Sequence, residues 1–359
     1  MEKLSRDRLK NRYLKPVILL LIGILFFSFF LLIIGIDFNV IYKNLLEINL
    51  YYLPLIICVD ILFILSYALA WFFLVKIVCP EIKPGKAMLI VIAGWFGDML
   101  IPAAFMTGEA LRLILLKKIY KLDMSKAAAT VVIHRLLNAL AFLFFMLMGI
   151  AMLAFYGETK VEILHHSVTI ILLSILGLAI AFFVLRKIRI LRKVLKVIVQ
   201  YLSAVFKTKK LDVESKIDSI FTSFENSLNI ITKNKTRVLI GFIILLFQWF
   251  LGVTIPYLFF LSVGYRVNFW ILSVAYPIYS LMDNIPIGIP ANAGVLDIAM
   301  ISTFVVLGIP KEIATLVTIL TRSIIVIFEA ILTGSISVIF LSRTFAHFSI
   351  RDLRKIVED

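Results

Sequence analysis

Acidic and basic residues recur at matched spacings inside the apolar segments of the two halves of this sequence. In the first half Arg135 follows Glu109 by 26 residues, and in the second half Arg322 follows Asp297 by 25. A charge at the centre of a membrane helix costs about 2.5–3.5 kcal/mol, so such residues should face protein or a water-filled cavity. Pairing an acid with a base offsets that cost. We therefore expect a Glu109–Arg135 pair and an Asp297–Arg322 pair, one in each half.

Further ionisable residues in or beside the same segments extend the candidate site. They are Arg112, His134, Asp283 and Glu329, with Asp60 as a weaker candidate. The arginines are suited to neutralise a phosphate or another anionic head group. Glu329 lies seven residues after Arg322, on the same helix face, and is a competing partner for it. His134 is interpreted either as part of a proton relay or as a hydrogen-bonded structural residue. The charged pairs either line a transport pathway or only hold the helices together.

Helix-breaking residues accompany these charges. They are Pro102 and Gly108 in the first half and Pro286, Pro290 and Gly294 in the second. A half-helix that begins near Glu109 directs free N–H groups and a positive dipole end into the membrane, and the region around Asn292 does the same. Such ends suit an anionic head group, unless Thr107 simply caps the helix or Glu109 itself occupies its end. Proline-broken segments at matching places in two halves indicate the binding site of a transporter.

The composition is that of a helical membrane protein with several crossings. The chain has 359 residues, of which 62% are hydrophobic, and its mean hydropathy is +1.05. The first apolar run, 16–36, follows six Lys and Arg and is long enough to span a bilayer. We interpret it as a retained first helix rather than a signal peptide. The net charge of +15 has its origin in loops on one side of the membrane, so no nucleic-acid partner is expected.

No metal site, cofactor or enzymatic activity is expected from the sequence. Cys58 and Cys79 lie 21 residues apart on one predicted helix, about 30 Å from each other and beyond the reach of a disulfide. The sequence contains no nucleotide-binding loop, zinc-protease motif, serine-hydrolase motif or paired-cysteine motif.

Lys and Arg in the loops predict the orientation of the segments. The apolar segments are 17–36, 50–76, 87–106, 127–156, 167–185, 238–262, 269–290, 294–309 and 312–341. Residues 107–126 carry five Lys or Arg, and residues 186–237 carry thirteen. Both lie in the cytoplasm only if segment 87–106 enters the membrane and turns back, with 109–121 as its returning or interfacial arm. By the same reasoning 269–309 is a second hairpin, which enters from the outside.

The predicted fold is an all-α polytopic membrane protein with about six full crossings and two opposed re-entrant hairpins in an inverted repeat. A single transmembrane domain, 1–359, contains repeat one at about 50–156, repeat two at about 238–341 and a cytoplasmic basic loop at 186–237. We expect both termini in the cytoplasm and the protein in the cell membrane. The alternative is an ordinary eight-helix bundle with proline kinks.

The broken segments resemble those of the transmembrane region of lysylphosphatidylglycerol synthases, a family of flippase-like integral membrane proteins. The matching residues are Pro102, Gly108, Glu109, Arg112 and 127–135, then Pro286, Pro290, Gly294, Asp297, Gly308, Pro310, Ala314 and Arg322. The sequence departs from the second motif at Asn292 and Ala293, which replace two glycines, and at Asp297, which replaces a glutamate. The resemblance implies movement of charged or isoprenoid-linked lipids between leaflets. The synthases also carry a soluble aminoacyl-transfer domain, and this chain ends at Asp359 without one, so we expect no synthesis of an aminoacylated lipid.

These observations predict a lipid transporter or flippase-like protein that moves an anionic or isoprenoid-linked lipid between leaflets. Arg112, Arg135 and Arg322 would neutralise the head group, and Glu109 and Asp297 would hold arginines in the empty site. The expected partners are membrane lipids with anionic head groups. The alternative is a subunit that transports nothing and docks an envelope or lipid-linked glycan enzyme through 186–237.

Overall fold

The computed structural model describes residues 37–101, 106–156, 210–285 and 288–345, together with residue 32 and isolated residues between 169 and 192. Every regular element in these ranges is a helix. This confirms the predicted class, an all-α protein with several apolar helices. A helix suits this composition because it satisfies the backbone N–H and C=O groups within one segment, where lipid offers no water.

The first half folds into five helices. They are α1 (Phe38–Leu46), α2 (Tyr52–Val78), α3 (Pro84–Leu100), α4 (Met106–Tyr120) and α5 (Met124–Phe155). Pro84 begins α3 because the first residue of a helix needs no N–H donor. The Asp123 side chain caps α5 by accepting a hydrogen bond from Ser125 N at 2.9 Å. Local chemistry therefore explains where the short α3–α4 segment begins and where the next long helix starts.

The second half shows a similar order of long and short helices. It contains α6 (Lys210–Lys233), α7 (Lys235–Ser262), α8 (Phe269–Ser280), α9 (Val295–Val306) and α10 (Lys311–Phe345). Two 3-10 turns, Leu281–Asn284 and Pro290–Asn292, lie between α8 and α9. Gly288 and Gly294 adopt φ values of +76° and +82°, in the left-handed region that interrupts a helix.

Four of the described helices, α2, α5, α7 and α10, are long and apolar enough to cross a membrane. Even the 27 residues of α2 measure about 40 Å. These helices match four of the six predicted crossings. Of segment 17–36 only residue 32 is described, and of 167–185 only isolated residues are described. Each half thus has a helix–break–helix unit between two long helices: α3–α4 between α2 and α5, and α8–α9 between α7 and α10.

The first break lies earlier in the chain than the apolar pattern indicated. We expected an apolar arm over 87–106 and a returning arm over 109–121. These bounds are wrong at the turn, because α3 ends at Leu100 and α4 already begins at Met106. Pro102 lies outside the described residues. Hydropathy did not reveal the boundary because the residues on both sides of it are apolar.

The two halves pack into one core. α2 runs along α7, where a Cβ on Gly241 would lie 3.3 Å from the Ala70 carbonyl oxygen, so the two backbones approach closely. α5 packs on α7 and α8, and α3 packs on α4 and α10. Trp249 Nε1 of α7 donates to Asn138 Oδ1 of α5 at 2.9 Å. Each helix–break–helix unit therefore contacts long helices of both halves.

Candidate functional site

The first break is held by a close contact between α3 and α4. Gly108 N donates to Asp98 Oδ1 at 2.7 Å. A Cβ on Gly108 would lie 2.5 Å from the Gly94 carbonyl oxygen, so only glycine leaves room for this approach. Gly108 was expected to be part of the break itself. It lies instead in the first turn of α4, where its role is close packing.

An acid closes the first turn of α4, so the expectation of an open anion site at this helix end is wrong. The Asp98 carboxylate accepts the Gly108 N–H and occupies the positive end of the helix. Thr107 is not the cap either: it lies inside α4, and its hydroxyl donates to the Ile101 carbonyl oxygen at 2.8 Å. Sequence reasoning did not name Asp98 as a site residue, although a carboxylate in an apolar segment was the signal that could have identified it.

Glu109 and Arg135 form the expected ion pair, which joins α4 to α5. Arg135 Nε donates to Glu109 Oε1, and the side chains of Arg135 and Glu109 remain 27% and 26% exposed. The Asp98 carboxylate lies close enough to act electrostatically on both Arg135 and Arg112. The ion pair is therefore partly exposed, and Arg135 interacts with acids of two helices, Glu109 of α4 and Asp98 of α3.

Asp98, Glu109, Arg112 and Arg135 form a charged cluster at the first break, and Arg112 is its most deeply buried cation. It is 3% exposed, and its guanidinium lies over the rings of Tyr67 and Trp71, 5.1 and 5.6 Å from their centroids. Aromatic faces stabilise a desolvated cation by roughly 2 kcal/mol. Trp71 Nε1 donates to Thr130 Oγ1 at 3.1 Å, which orients the indole. Within the described ranges Arg112 Nε has no hydrogen-bond acceptor, so it keeps donor capacity for an anion.

His134 lies beside this cluster on α5. Its side chain is fully buried, and its ring packs edge-on against Tyr67 with the centroids 4.5 Å apart. Tyr67 therefore contacts both the imidazole and the Arg112 guanidinium. The proton relay considered for His134 stays a prediction.

The second expected pair, Asp297 with Arg322, joins α9 to α10. Arg322 Nε donates to Asp297 Oδ1 at 3.3 Å, and the guanidinium also donates to the Ala291 carbonyl oxygen. Asp297 Oδ2 accepts the Gly294 N–H at 2.7 Å. The arginine and aspartate side chains are 17% and 13% exposed. One aspartate thus caps α9 and binds the arginine, so this helix end is also filled by an acid.

The turn before α9 contains left-handed backbone at two non-glycine residues. The φ values are +51° at Ala291 and +50° at Asn292. Asn292 stands where the family motif has a glycine, and asparagine is one of the few residues that tolerate this region. Pro290 begins a 3-10 turn and Gly294 directly precedes α9, so the chain is not continuously helical at these two expected break positions, whereas Pro286 lies outside the described residues.

Contacts of α3 link the two breaks. The Pro290–Asn292 turn packs against α3, the helix that carries Asp98. α3 also packs against α10, which carries Arg322. Asp98 of the first half and Arg322 of the second are therefore connected through one short helix, α3.

Asp283 belongs to another element of the second half. It lies in the 3-10 turn Leu281–Asn284, which contacts α8 and α9.

A third polar contact crosses between the halves and involves Glu329. Trp95 Nε1 of α3 donates to Glu329 Oε2 of α10 at 3.0 Å. The Asp60 carboxyl group of α2 lies within hydrogen-bonding reach of Glu329. Glu329 was considered as a competing partner of Arg322, but the structure pairs Arg322 with Asp297 and places Glu329 against Trp95 and Asp60. Helical spacing alone did not reveal this arrangement because both contacts depend on how α10 packs on α2 and α3.

Comparisons with known proteins agree with this architecture. The profile of the lysylphosphatidylglycerol synthase transmembrane region matches residues 17–334. A UPF0104 membrane protein of Methanocaldococcus jannaschii is 29% identical over 340 residues, which cover 93% of this chain and 97% of that protein. UPF0104 membrane proteins of Methanothermobacter thermautotrophicus and Pyrococcus horikoshii are 22% and 23% identical, over 86% and 87% of this chain and 91% and 93% of their own. Since the profile spans most of the sequence, the resemblance is confirmed, and this polytopic membrane protein belongs to the lysylphosphatidylglycerol synthase transmembrane-region family.

Proposed function

We propose that the protein moves a lipid with an anionic head group, or an isoprenoid-linked lipid phosphate, between the leaflets of the cell membrane. The observation that carries this proposal is the setting of Arg112. It is buried and stacked on two aromatic rings, and its Nε lacks an acceptor within the described ranges. A guanidinium at such a place is costly unless it meets an acid or an anionic ligand. Phosphate oxygens match guanidinium donors in geometry and charge.

The two ion pairs supply further cations for the same head group. Arg135 and Arg322 are bound by Glu109 and Asp297, and all four side chains are partly exposed. A head group that enters there exchanges with a carboxylate, so the acid holds the arginine when no lipid is bound. Because acids already fill both helix ends, guanidinium groups rather than helix dipoles bind the head group in this mechanism.

The proposed route runs between two opposed re-entrant hairpins, α3–α4 and α8–α9, in an inverted repeat with cytoplasmic termini. The contact between Gly94 and Gly108 supports a fold-back at the first break, because the two glycines lie on opposite sides of it. Inverted repeats with broken helices at the membrane midplane are a common plan of secondary transporters.

Cysteine labelling tests this topology. Single cysteines are placed at 90, 120, 160 and 292 in a chain whose Cys58 and Cys79 are replaced by serine, and an impermeant reagent is applied from either side. We expect position 120 to react only from the cytoplasmic side and position 160 only from the outside. Labelling of position 120 from the outside contradicts the first hairpin.

Reconstitution in liposomes tests the transport itself. Vesicles receive trace head-group-labelled phosphatidylglycerol, phosphatidylcholine or polyprenyl phosphate, and a quencher measures how much label reaches the outer leaflet with time. We expect the wild type to move the anionic lipids. Arg135→Ala should slow this movement about tenfold or more, because a hydrogen bond to a charged group contributes about 1.5–3 kcal/mol.

Arg343→Ala is the matched control for this assay. Arg343 is an exposed arginine in the last turn of α10 and has no part in the cluster. It should leave lipid movement at the wild-type rate. If wild type and Arg135→Ala both move every lipid at the rate of protein-free vesicles, the proposed function is refuted.

A docking role for the basic loop has one observation in its favour. α6 leaves an open groove beside the start of α5, lined by Lys126, Asp218, Ser219, Thr222, Ser223, Asn226, Ser227 and Ile230. Thr222→Arg and Asn226→Arg alter exposed positions of this groove without touching the core. Loss of a crosslinked envelope enzyme in these variants, with lipid movement intact, favours docking. Retention of the same partner in both variants argues against it.

A further inference from the structure

Asp60 on α2 is a fully buried carboxyl group. It is 0% exposed, and neither of its carboxylate oxygens receives a hydrogen bond within the described part of the chain. It lies eight residues after Tyr52, the first residue of a helix long enough to cross the membrane. An ionised carboxylate without a donor loses its hydration there and gains nothing in return. It is therefore energetically costly to keep Asp60 ionised at this position.

Glu329 on α10 is the acid that lies beside it. Glu329 is 8% exposed and sits near the middle of a 35-residue helix, with its carboxyl group within hydrogen-bonding reach of Asp60. Trp95 Nε1 donates to Glu329 Oε2 at 3.0 Å. Phe63 and Tyr67 pack edge-on against the indole at 5.8 and 5.4 Å between centroids. The two acids thus meet in a largely dry aromatic environment where the first and second halves of the chain touch.

Four basic side chains of the neighbouring helices belong to the site already described. They are Arg112, His134, Arg135 and Arg322, of which the first two contact Tyr67, the third binds Glu109 and the fourth binds Asp297. Arg322 lies seven residues from Glu329, about 10 Å along α10.

Three other packed elements, α3, α6 and α7, either lack ionisable groups near the pair or bind them elsewhere. Between residues 238 and 262, α7 contains no Asp, Glu, Lys, Arg or His. On α3, Asp98 accepts a hydrogen bond from α4, and Lys86 lies over an aromatic ring of α10. α6 leads directly into α7, where Arg237 donates to the Lys76 carbonyl oxygen, sixteen residues or about 24 Å along α2 from Asp60.

We propose that Asp60 and Glu329 form a proton-binding site that holds one proton between the two carboxyl groups. Two adjacent carboxylates in a dry environment repel each other, and one shared proton turns that repulsion into an O–H···O hydrogen bond. A metal cation fits less well, because it needs several oxygen ligands while Trp95 presents an N–H donor to Glu329. In the part of the chain that the structure describes, no three His, Cys, Asp or Glu side chains converge to hold a metal ion.

Release of this proton acts on the contact between the two halves. Asp60 belongs to α2 and Glu329 to α10, so a second negative charge at the pair pushes these helices apart, and reprotonation lets them close. The proton site itself does not depend on the lipid transport proposed above. Its use to couple a proton gradient to lipid movement rests on that proposed function.

Infrared spectroscopy of the purified full chain in lipid nanodiscs tests the site without a transport assay. We expect the wild type at neutral pH to show the C=O stretch of a protonated carboxyl group, which shifts in D2O and disappears at alkaline pH. Asp60→Asn and Glu329→Gln should each remove or shift this band, and the double variant should lack it. Glu312→Gln, at the start of the same helix as Glu329, is the control and should keep the band unchanged.

Absence of the band in the wild type at neutral pH, or its persistence in the double variant, overturns the proposal. A band that disappears when NaCl replaces choline chloride at constant pH identifies a sodium site and overturns it as well. Trp95→Phe keeps both acids and removes the donor to Glu329, so it should shift the band even if the acid variants fail to fold. A wild-type protein that shows the band but moves no lipid contradicts the proposed transport and leaves the proton site intact.

Discussion

Gly108→Ala tests the contact that closes the first helix break. A methyl group at residue 108 would lie 2.2 Å from Asp98 Oδ2 and 2.5 Å from the Gly94 carbonyl oxygen, whereas ordinary contact begins at 3.4 Å. The carboxylate ends a short side chain and can turn away. The Gly94 oxygen belongs to a helix backbone, so α3 and α4 must separate by roughly 0.9 Å, the difference between 3.4 and 2.5 Å. That separation also stretches the 2.7 Å hydrogen bond from Gly108 N to Asp98 Oδ1.

The cost of this separation follows from two opposing effects. Overpacking of a close contact costs about 1–3 kcal/mol, and alanine regains at most about 1 kcal/mol through its helix propensity. With that gain subtracted, we expect Gly108→Ala to lower the free energy of unfolding by up to about 2 kcal/mol. Gly85→Ala is the matched control, because Gly85 also lies in the first turn of a helix and a Cβ there meets nothing within 4 Å. That variant should be neutral or more stable than the wild type.

Thermal unfolding in one mild detergent measures both variants. Cys79 is buried and Cys58 exposed, so in a Cys58→Ser background a thiol-reactive dye reports exposure of Cys79 on unfolding. The midpoint of Gly108→Ala should fall below those of the wild type and of Gly85→Ala. Equal midpoints for the two alanine variants would refute the close contact between α3 and α4.

The second break and the loop before α5 provide three further predictions. Ala291→Gly replaces a left-handed alanine and should raise the free energy of unfolding by up to about 1 kcal/mol in the same dye assay, whereas a loss would argue against backbone strain there. Arg322→Gln leaves the Asp297 carboxylate without its cation and should lower the free energy of unfolding by about 2–3 kcal/mol. Adding Asp297→Asn should restore part of that loss in the double variant, and no recovery would argue against the pair. Burial raises the pKa of Asp123, but the hydrogen bonds that its carboxylate accepts, including one from the Ser223 hydroxyl, outweigh burial and hold the pKa below its ordinary value of 3.8. That stabilisation is complete above the ordinary value and is lost as the pH falls through the lower folded value, so Ser223→Ala should cost stability at neutral pH and nothing in strong acid. A cost of the same size at every pH would contradict this assignment.

The free-energy cost of an unpaired charge in an apolar segment explains which parts of the site were predictable from the sequence. An unpaired ion inside an apolar segment is so unfavourable that the Glu109–Arg135 and Asp297–Arg322 pairs followed from residue type and spacing. Pro290 and Gly294 marked the second break because they disfavour a continuous helix. The anion site expected at the helix ends was wrong, since hydropathy and spacing did not indicate that Asp98 caps the first turn of α4.

By itself, the sequence determined that this chain forms apolar membrane helices, that the segment between the long helices of the second half is broken, and that Glu109 and Asp297 each pair with an arginine. These properties are local, because hydropathy, helix breaking and the cost of an isolated charge depend on neighbouring residues along the chain. Only the tertiary structure decided that Asp60 meets Glu329, 269 residues away, and that Arg112 stacks on two aromatic rings of α2. Such contacts depend on which faces of α2, α3, α4 and α10 pack together, and that choice is made by the summed packing of the whole core rather than by any local pattern.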